Sequence, residues 1–256
     1  MRLCRLAVAG TPRWGIIDNE LVTLLAGPPW QGLDPVGGAM PLAGAALLPP
    51  CQPSKIVCVG LNYRAHAAEQ GKAVPAEPLL FLKAPSALVP PGGEVLLPPE
   101  SEEVHYEGEL ALVVGRRARR VAAAYALDHV LGYTCLDDVT ARDIQRREKV
   151  YTHAKGFDTF CPVGPWLETG IGDPQALELT LRVNGEVRQH GPTSDMIFPV
   201  AEVIEYVSRF MTLEPGDLIT TGTPPGVGRL ADGDAVEVEI TGIGTLTHAV
   251  RSEPAG

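Results

Sequence analysis

The sequence predicts an α+β domain dominated by β-structure, and three observations point there. Short apolar runs recur at close spacing, turn signals such as "VNGE", "EPGD" and "ADGD" separate them, and helical periodicity is clear in few places, which disfavours alternating βαβ units. In order, "RLAVAG" and "WGIIDNELVTLL" read as short β runs, followed by a Gly/Pro/Ala-rich stretch ending in "LLPPCQPS". This leading segment is expected to form a small N-terminal β lobe and linker over residues 1–53, with the main domain over 54–256. The main domain opens on "KIVCVG", a fully apolar strand that ends at a glycine. Further strands are expected at "PLLFLKA", "EGELALVVG", "VLGYTCL", "LELTLRVNGE", "DLITTG", "DAVEVEITG" and "GTLTHAVR". Helices are expected at "VTARDIQRREKV" and at "FPVAEVIEYVSRFM", where Val200, Val203, Ile204, Val207, Phe210 and Met211 make one stripe and Pro199 suits the first turn. No internal repeat of solenoid length is present.

The 256 residues are 45% hydrophobic and 20% charged, enough for a sizeable core without disulfide staples. Five cysteines, at 4, 51, 58, 135 and 161, are odd in number and show no CxxC spacing. Reduced thiols in the cytoplasm are therefore expected, not a disulfide framework or a structural zinc site. The start "MRLCRLAVAGTPRWG" breaks into Gly, Thr, Pro and Arg before a signal-length apolar core forms, and no run approaches the ~20 residues that span a bilayer. A formal net charge of -10 leaves no basic footprint for nucleic acid, and "GRRARR" is one short cluster suited to a solvated turn. The same field repels an anionic small substrate, so a site for one has to supply local positive charge through a metal, Lys or Arg.

The run "HYEGELALVV" carries two glutamates, Glu107 and Glu109, around a single glycine. Positions two apart on a strand share a face, so both carboxylates look the same way, which is unfavourable unless a cation or water lies between them. The water-facing side of a half-exposed strand is the competing explanation. Further on, "GYTCLDDVTARDIQ" runs an apolar strand into Asp137 and Asp138, and a helix N-cap explains one of these acids but not both. With a helix starting near Asp138, Asp138, Arg142 and Gln145 fall at i, i+4 and i+7 and can present a carboxylate, a cation and an amide to one cleft. The alternative is a surface Asp138–Arg142 ion pair worth roughly a few tenths of a kcal/mol. Glu107, Glu109 and Asp138, without a nearby histidine or thiol ligand, form a hard oxygen site suited to Mg²⁺ or Mn²⁺, with Ca²⁺ as a further candidate; zinc wants more nitrogen or sulfur. His66 and Glu69 stand at i and i+3 in "NYRAHAAEQG", either as a solvated helical turn or as a dyad whose carboxylate orients the imidazole as a general base.

Taken in order, "KIVCVGLNYRAHAAE", "FLKAPSAL", "YEGELALVVG", "GYTCLDDVTARDIQ", "THAKGFDTFCPVGPW", "VNGEVRQHGPTSDMIF" and "LEPGDLITTGTPPGVG" resemble the fumarylacetoacetate hydrolase superfamily over residues 54–250. The resemblance is closest to its homoprotocatechuate-pathway isomerase/decarboxylase branch and acylpyruvase relatives. It implies a roll of stacked mixed β-sheets in a catalytic domain, a divalent metal and a homodimer. Carried across position by position, the family's metal carboxylates fall on Glu107, Glu109 and Asp138, its active-site lysine on Lys155, its substrate-contacting glutamine on Gln145 and its glycine-rich-loop threonine on Thr223. It further implies that His66 and Glu69 ride on a lid closing over substrate, which Gly71 helps to order or disorder. The chain has sixteen Arg but five Lys, and two of the lysines, Lys83 and Lys155, lie inside family motifs; Lys83 and Arg142 are assigned to substrate binding. Two positions depart from the family pattern: Asp137 stands where Asn is frequent, and Leu61 where Arg is. Of the other histidines, His105 flanks the metal strand, His153 precedes the lysine motif, and His129, His190 and His248 are expected to be structural or exposed. The loop "GTPPGVG" lacks the Walker spacing, though its amides suit a substrate carboxylate.

The expected chemistry is that of a 2-oxo acid whose C2 oxygen is polarised by the ion so that an enolate forms. That enolate serves decarboxylation, isomerisation and C–C hydrolysis alike. The leading expectation is a Mg²⁺- or Mn²⁺-dependent isomerase/decarboxylase acting on 2-hydroxyhepta-2,4-diene-1,7-dioate or related 2-oxo diacids of aromatic breakdown. The alternative is an acylpyruvate hydrolase or oxaloacetate decarboxylase, and a non-catalytic metal-binding module is the alternative of another class. Lys155 is expected to neutralise developing charge or relay a proton with its pKa lowered by desolvation, Gln145 and Thr223 to orient substrate, and His66 to activate water or move the proton.

Overall fold

The strand Gly108–Val114 is buried on both faces, and the rest of the architecture is arranged around it. Leu110, Leu112 and Val114 point into one apolar cluster while Ala111 and Val113 point into another, which is why this stretch reads as continuously apolar instead of alternating. The computed structural model describes residues 1–148 and 150–254. Strands hold 44% of residues and helices 16%, which makes the fold a β-dominated α+β roll of mixed sheets.

The largest sheet has twelve strands. Its path runs from Pro35–Pro41 through Leu21–Leu25, Thr11–Asp18 and Arg2–Val8 to Cys161–Glu168, then through Val130–Asp137, Gly108–Val114, Leu218–Thr220 and Ile56–Gly60 to the edge strand Leu79–Lys83. The leading segment is thus continuous with the main sheet: Arg2 pairs with Glu168 and Leu3 with Leu167, and the Met1 amino group donates to Glu168 Oε1 at 2.8 Å. The connecting strand Cys161–Glu168 was not expected, because Pro162, Gly164 and Pro165 carry the composition of a loop. The expected run "WGIIDNELVTLL" divides into Thr11–Asp18 and Leu21–Leu25 at Asn19, whose φ of +53° makes the hairpin turn.

A five-stranded sheet, ordered Glu186–Pro192, Glu178–Val183, Ala235–Ile240, Gly244–Ser252 and Glu94–Leu97, packs on one face of the large one. Leu179, Leu181, Val236, Val238 and Leu246 meet Leu110, Leu112 and Cys135 in the shared core. Three short strands, Thr140–Ala141, Val104–Tyr106 and Gly228–Arg229, form a third sheet beside this seam.

Both expected helices are shorter than their sequence periodicity suggests. Helix Val200–Ser208 is entered from Pro199 and buries Val200, Val203, Ile204 and Val207, but it ends before Phe210, which is 57% exposed and leaves the stripe. Helix Arg142–Arg147 begins four residues after Asp138, because Thr140 and Ala141 pair with Val104–Tyr106 instead. The expected Asp138–Arg142–Gln145 helical stripe therefore does not form; Lys149, at its far end, lies outside the described residues. No helix among the described residues is long and apolar enough to cross a membrane. Replacing Ile204 with Ala should cost about 2–4 kcal/mol in urea unfolding, whereas Phe210→Ser should stay within about 0.5 kcal/mol; equal losses would contradict this account of the helix.

Candidate active site

Glu107 sits where the chain passes from the third sheet to the first, between Val104–Tyr106 and Gly108–Val114. The two glutamates are thus not neighbours on one continuous strand. Their carboxylates nevertheless converge with that of Asp138, and one oxygen from each lies within 4.8 Å of the other two. All three residues are buried, Asp138 completely. The glycine between the glutamates packs closely on the second sheet: a Cβ on Gly108 would lie 3.0 Å from Leu181 Cδ1, so that side chain would have to give way. Both backbone polar groups of Gly108 are taken by side chains, its N–H donating to Gln189 Oε1 at 2.9 Å and its carbonyl accepting from Thr223 Oγ1 at 2.8 Å. Gln189 in turn donates to Thr223 Oγ1 at 2.8 Å and to the Pro224 carbonyl at 2.7 Å, which closes a ring around the turn.

Asp137 takes no part in the three-carboxylate cluster. Its Oδ1 accepts the Glu107 N–H at 2.7 Å and its Oδ2 meets His248 Nε2 at 2.9 Å, with both side chains fully buried. The extra acid is an internal anchor for the Glu107 backbone, and His248 belongs to that anchor. The Asp138 N–H donates to the Glu107 carbonyl at 2.8 Å, so the two ligand-bearing segments are tied together directly.

Cations surround the cluster unevenly. Lys155 Nζ donates to Glu107 Oε2 at 2.9 Å and to Asp138 Oδ2 at 2.5 Å, Lys83 Nζ donates to Asp138 Oδ1 at 2.6 Å, and Arg142 donates to Glu107 Oε1 and to Gln145 Oε1. Arg142 thus serves Glu107 and not Asp138. Lys83 spends its remaining reach on the Val139 carbonyl at 3.0 Å and does not line the cavity, so it positions Asp138 and is not placed to touch substrate. Burial alone would raise the Glu107 carboxyl, but Lys155 and Arg142 outweigh it and hold the group below the ordinary range. Burial alone would lower Lys155, yet Asp138 and Glu107 overcome it and hold the ammonium above its ordinary value, opposite to the direction expected from desolvation. Glu109 is different: burial first, and Asp138 next, push its carboxyl well above the ordinary value, and no cation among the described residues forms an ion pair with it. Its Oε2 accepts one N–H, from Gly222 at 2.8 Å.

That imbalance is the test of whether a divalent ion fits. Three carboxylates face three protein cations, so the cluster is close to neutral as it stands, yet one carboxylate is left without a cationic partner. A hard divalent cation, accepting one oxygen from each acid, supplies that partner and suits an all-oxygen donor set.

The cluster opens into a cavity of about 280 Å³, small for a ligand pocket. Its walls carry Arg142, Gln145, Lys155 and Thr223 beside the carboxylates, apolar Val59, Leu79, Phe81 and Tyr151, and His66, Gln70 and Lys72 from the segment of helix Arg64–Glu69. His66 is buried and its Nδ1 meets Glu69 Oε2 at 2.9 Å, while Glu69 Oε1 accepts the Gly226 N–H at 3.1 Å. Gln70 Nε2 lies 2.7 Å from His66 Nε2, so the ring carries its proton on Nδ1 toward Glu69 and accepts from the amide on the other side. The helix is pinned at its start as well, Ala65 N–H donating to Asp195 Oδ2 at 2.9 Å and Arg64 to the Met196 carbonyl at 2.6 Å. Leu61, at φ +52°, turns the chain in a region that branched residues seldom adopt. Asn62 next to it donates to the Thr221 carbonyl at 2.8 Å and fixes the loop that presents Gly222. Thr223 lines the cavity with its hydroxyl already engaged by Gly108 and Gln189. His105 packs near Arg142 and bonds Glu103, and His153 bonds the Glu148 carboxylate on the surface.

Gln189, Gln70 and His248 were not singled out from sequence. Each acts through a partner distant in the chain or through a geometry no local pattern signals; only the doubling of Asp137 with Asp138 hinted that one acid had a second task.

The structure is a β-rich roll enclosing a buried three-carboxylate cluster, with lysines and an arginine against it and a histidine lining the small cavity beside it. The chain belongs to the fumarylacetoacetate hydrolase family: the family model "Fumarylacetoacetate (FAA) hydrolase C-terminal" matches residues 55–251, and "Rv2993c-like, N-terminal" matches residues 1–50. The chain is 47% identical to Protein Rv2993c of Mycobacterium tuberculosis over 98% of each chain. It is 47% identical to the mitochondrial oxaloacetate tautomerase FAHD2A of Bos taurus over 80% of this chain and 68% of that one. Among solved structures, 5-carboxymethyl-2-hydroxymuconate delta-isomerase from Mycobacterium smegmatis superposes with a TM-score of 0.93 at 42% identity over 99% of this chain and 100% of that chain. The 2-hydroxyhepta-2,4-diene-1,7-dioate isomerase from Mycobacterium marinum gives 0.91 at 46% identity over 100% of both chains. Fumarylpyruvate hydrolase from Pseudomonas aeruginosa, solved with Mn²⁺ and pyruvate, gives 0.76 at 36% identity over 79% of this chain and 91% of that one.

Glu109→Gln should weaken Mg²⁺ or Mn²⁺ binding by more than the roughly 10–100-fold typical of losing an outer partner, read by calorimetry. Because a buried carboxyl with a raised pKa destabilises the fold once it ionises, the same variant without added ion should melt higher than wild type at neutral pH. The two should converge at acid pH, where both side chains are neutral. A variant that melts lower without ion would contradict the account of Glu109.

Proposed function

We propose that the protein is a divalent-metal-dependent isomerase of 2-oxo diacids, moving a proton on an enolised substrate such as 2-hydroxyhepta-2,4-diene-1,7-dioate. The observation that carries this reading is the convergence of Glu107, Glu109 and Asp138 in a cavity that also presents Arg142, Gln145, Lys155 and His66. The named relatives support it, since a tautomerase and two isomerases share the shifting of a proton between carbon and an enolic oxygen.

Mg²⁺ or Mn²⁺ held by the three carboxylates would supply Lewis acidity toward the 2-oxo group. The near-neutral cluster carries two positive charges once such an ion is present, which suits a dianion and answers the repulsion of the acidic chain as a whole. Lys155, fixed by Glu107 and Asp138, stands as a protonated donor where enolate charge develops. Arg142 and Gln145, bonded to each other, orient the substrate carboxylate. His66, its Nδ1 proton directed to Glu69, offers Nε2 as the proton carrier once Gln70 yields its place to substrate. Lys83 and Thr223 support the reaction from behind, by holding Asp138 and the Gly108 turn.

A second reading, hydrolysis of an acylpyruvate, is favoured by one observation: the His66–Glu69 pair, at 2.9 Å, is equally suited to activating water. Incubating the protein with Mg²⁺ or Mn²⁺ and a panel of oxaloacetate, acylpyruvates and the heptadienedioate, with ultraviolet absorbance followed with and without EDTA, separates these readings. Isomerisation removes the dienol band without releasing acid products; release of pyruvate from an acylpyruvate selects the hydrolase, whereas pyruvate formed from oxaloacetate reports decarboxylation; no turnover of any member sinks both readings. His66→Ala should keep wild-type metal affinity while kcat falls by about 10²–10⁴-fold, and full activity in that variant would remove the histidine from the mechanism.

A further inference from the structure

We infer that Lys72 binds the second carboxylate of the substrate and makes the cavity selective for diacids over monoacids, an inference that rests on the 2-oxo acid reading above. Three cationic side chains line the cavity: Arg142, Lys155 and Lys72. The first two already carry carboxylate partners, Glu107 for both and Asp138 for Lys155. Lys72 makes no ion pair or side-chain hydrogen bond among the described residues, and it lines the cavity on the segment that follows His66 and Gln70. Lys72 is exposed to solvent where it lines the cavity, so its ammonium can be reached by a ligand that enters. Lys55 pairs with Asp217, Lys83 with Asp138, and Lys155 with two acids.

The backbone explains how Lys72 is held there. Helix Arg64–Glu69 ends in a paired cap, with the Gly71 N–H donating to the Ala68 carbonyl at 3.0 Å and the Lys72 N–H to the Ala67 carbonyl at 2.9 Å. Gly71 takes φ +62°, the left-handed conformation this cap requires and one that glycine adopts freely. The cap reverses the chain so that Lys72 turns toward the cavity instead of continuing along the helix axis. The cavity lining also includes Val59, Leu79, Phe81 and Tyr151, whose carbon surfaces suit the carbon chain of an acid charged at both ends. The 2-oxo acid end is assigned to the ion site, Arg142 and Gln145, and the far carboxylate to Lys72, the cavity cation without an ion-pair partner among the described residues.

The test is calorimetric titration of the Mg²⁺-loaded protein with pyruvate and with 2-oxoadipate, which share the 2-oxo acid end and differ in the second carboxylate. Wild type should bind 2-oxoadipate more tightly. Lys72→Met should weaken 2-oxoadipate binding about tenfold and leave pyruvate within about twofold, and Lys72→Arg should restore most of the difference. Loss of the same factor for both acids, or no loss for either, overturns the assignment of Lys72 while leaving the 2-oxo acid reading standing. Failure of the wild-type protein to bind either acid overturns both.

Discussion

Three carboxylates meet at one buried point, and the cost of that meeting shapes the structure around it. Each ion withdrawn from water is penalised by several kcal/mol unless it finds partners. The surroundings supply these partners from separate parts of the chain: Lys83 from an edge strand, Lys155 and Arg142 from two short helices, and one amide from the Gly222 loop. Asp137 and His248 extend the arrangement one layer further, reaching the Glu107 backbone from the strand Gly244–Ser252 of the second sheet. One group, Glu109, is left without a cationic partner among the described residues.

This arrangement also accounts for features that look unrelated. A side chain at Gly108 would crowd Leu181 of the second sheet, and Gln189 in the interior satisfies the Gly108 N–H. Leu61 holds an uncommon backbone conformation beside Asn62, which secures the loop whose amide reaches Glu109. Helix Arg64–Glu69 is pinned at Asp195, Met196 and Gly226, so the histidine it carries faces the carboxylates on a fixed platform.

Much of this was legible in the residues. The run "EGELALVVG" was legible as a strand, though not as one buried on both faces, and acids interrupting apolar strands announced the convergence of Glu107, Glu109 and Asp138. The stripe of Val200, Val203, Ile204 and Val207 announced a helix, though Phe210 falls past its end, where the period no longer applies. Other features were hidden because tertiary contacts override local signals. Strand Cys161–Glu168 has the prolines of a loop and is stabilised by neighbours on both sides, one of them the N-terminal strand. Asp138 looked like a helix start, but pairing with Val104–Tyr106 keeps the following residues extended. The direction of the Lys155 shift depended on two carboxylates that are distant in the chain, and no local pattern reveals the task of Lys83.

The position of Glu107 at a junction between sheets has a mechanical consequence. Glu109 is anchored in the twelve-stranded sheet, whereas Glu107 hangs between that sheet and the small one, with its amide fastened to Asp137, which His248 of the five-stranded sheet holds in turn. Any slippage between these layers is therefore transmitted to the spacing of the oxygen donors. The spacing of the three carboxylates thus gauges how the layers are stacked, however far from the cluster the packing changes.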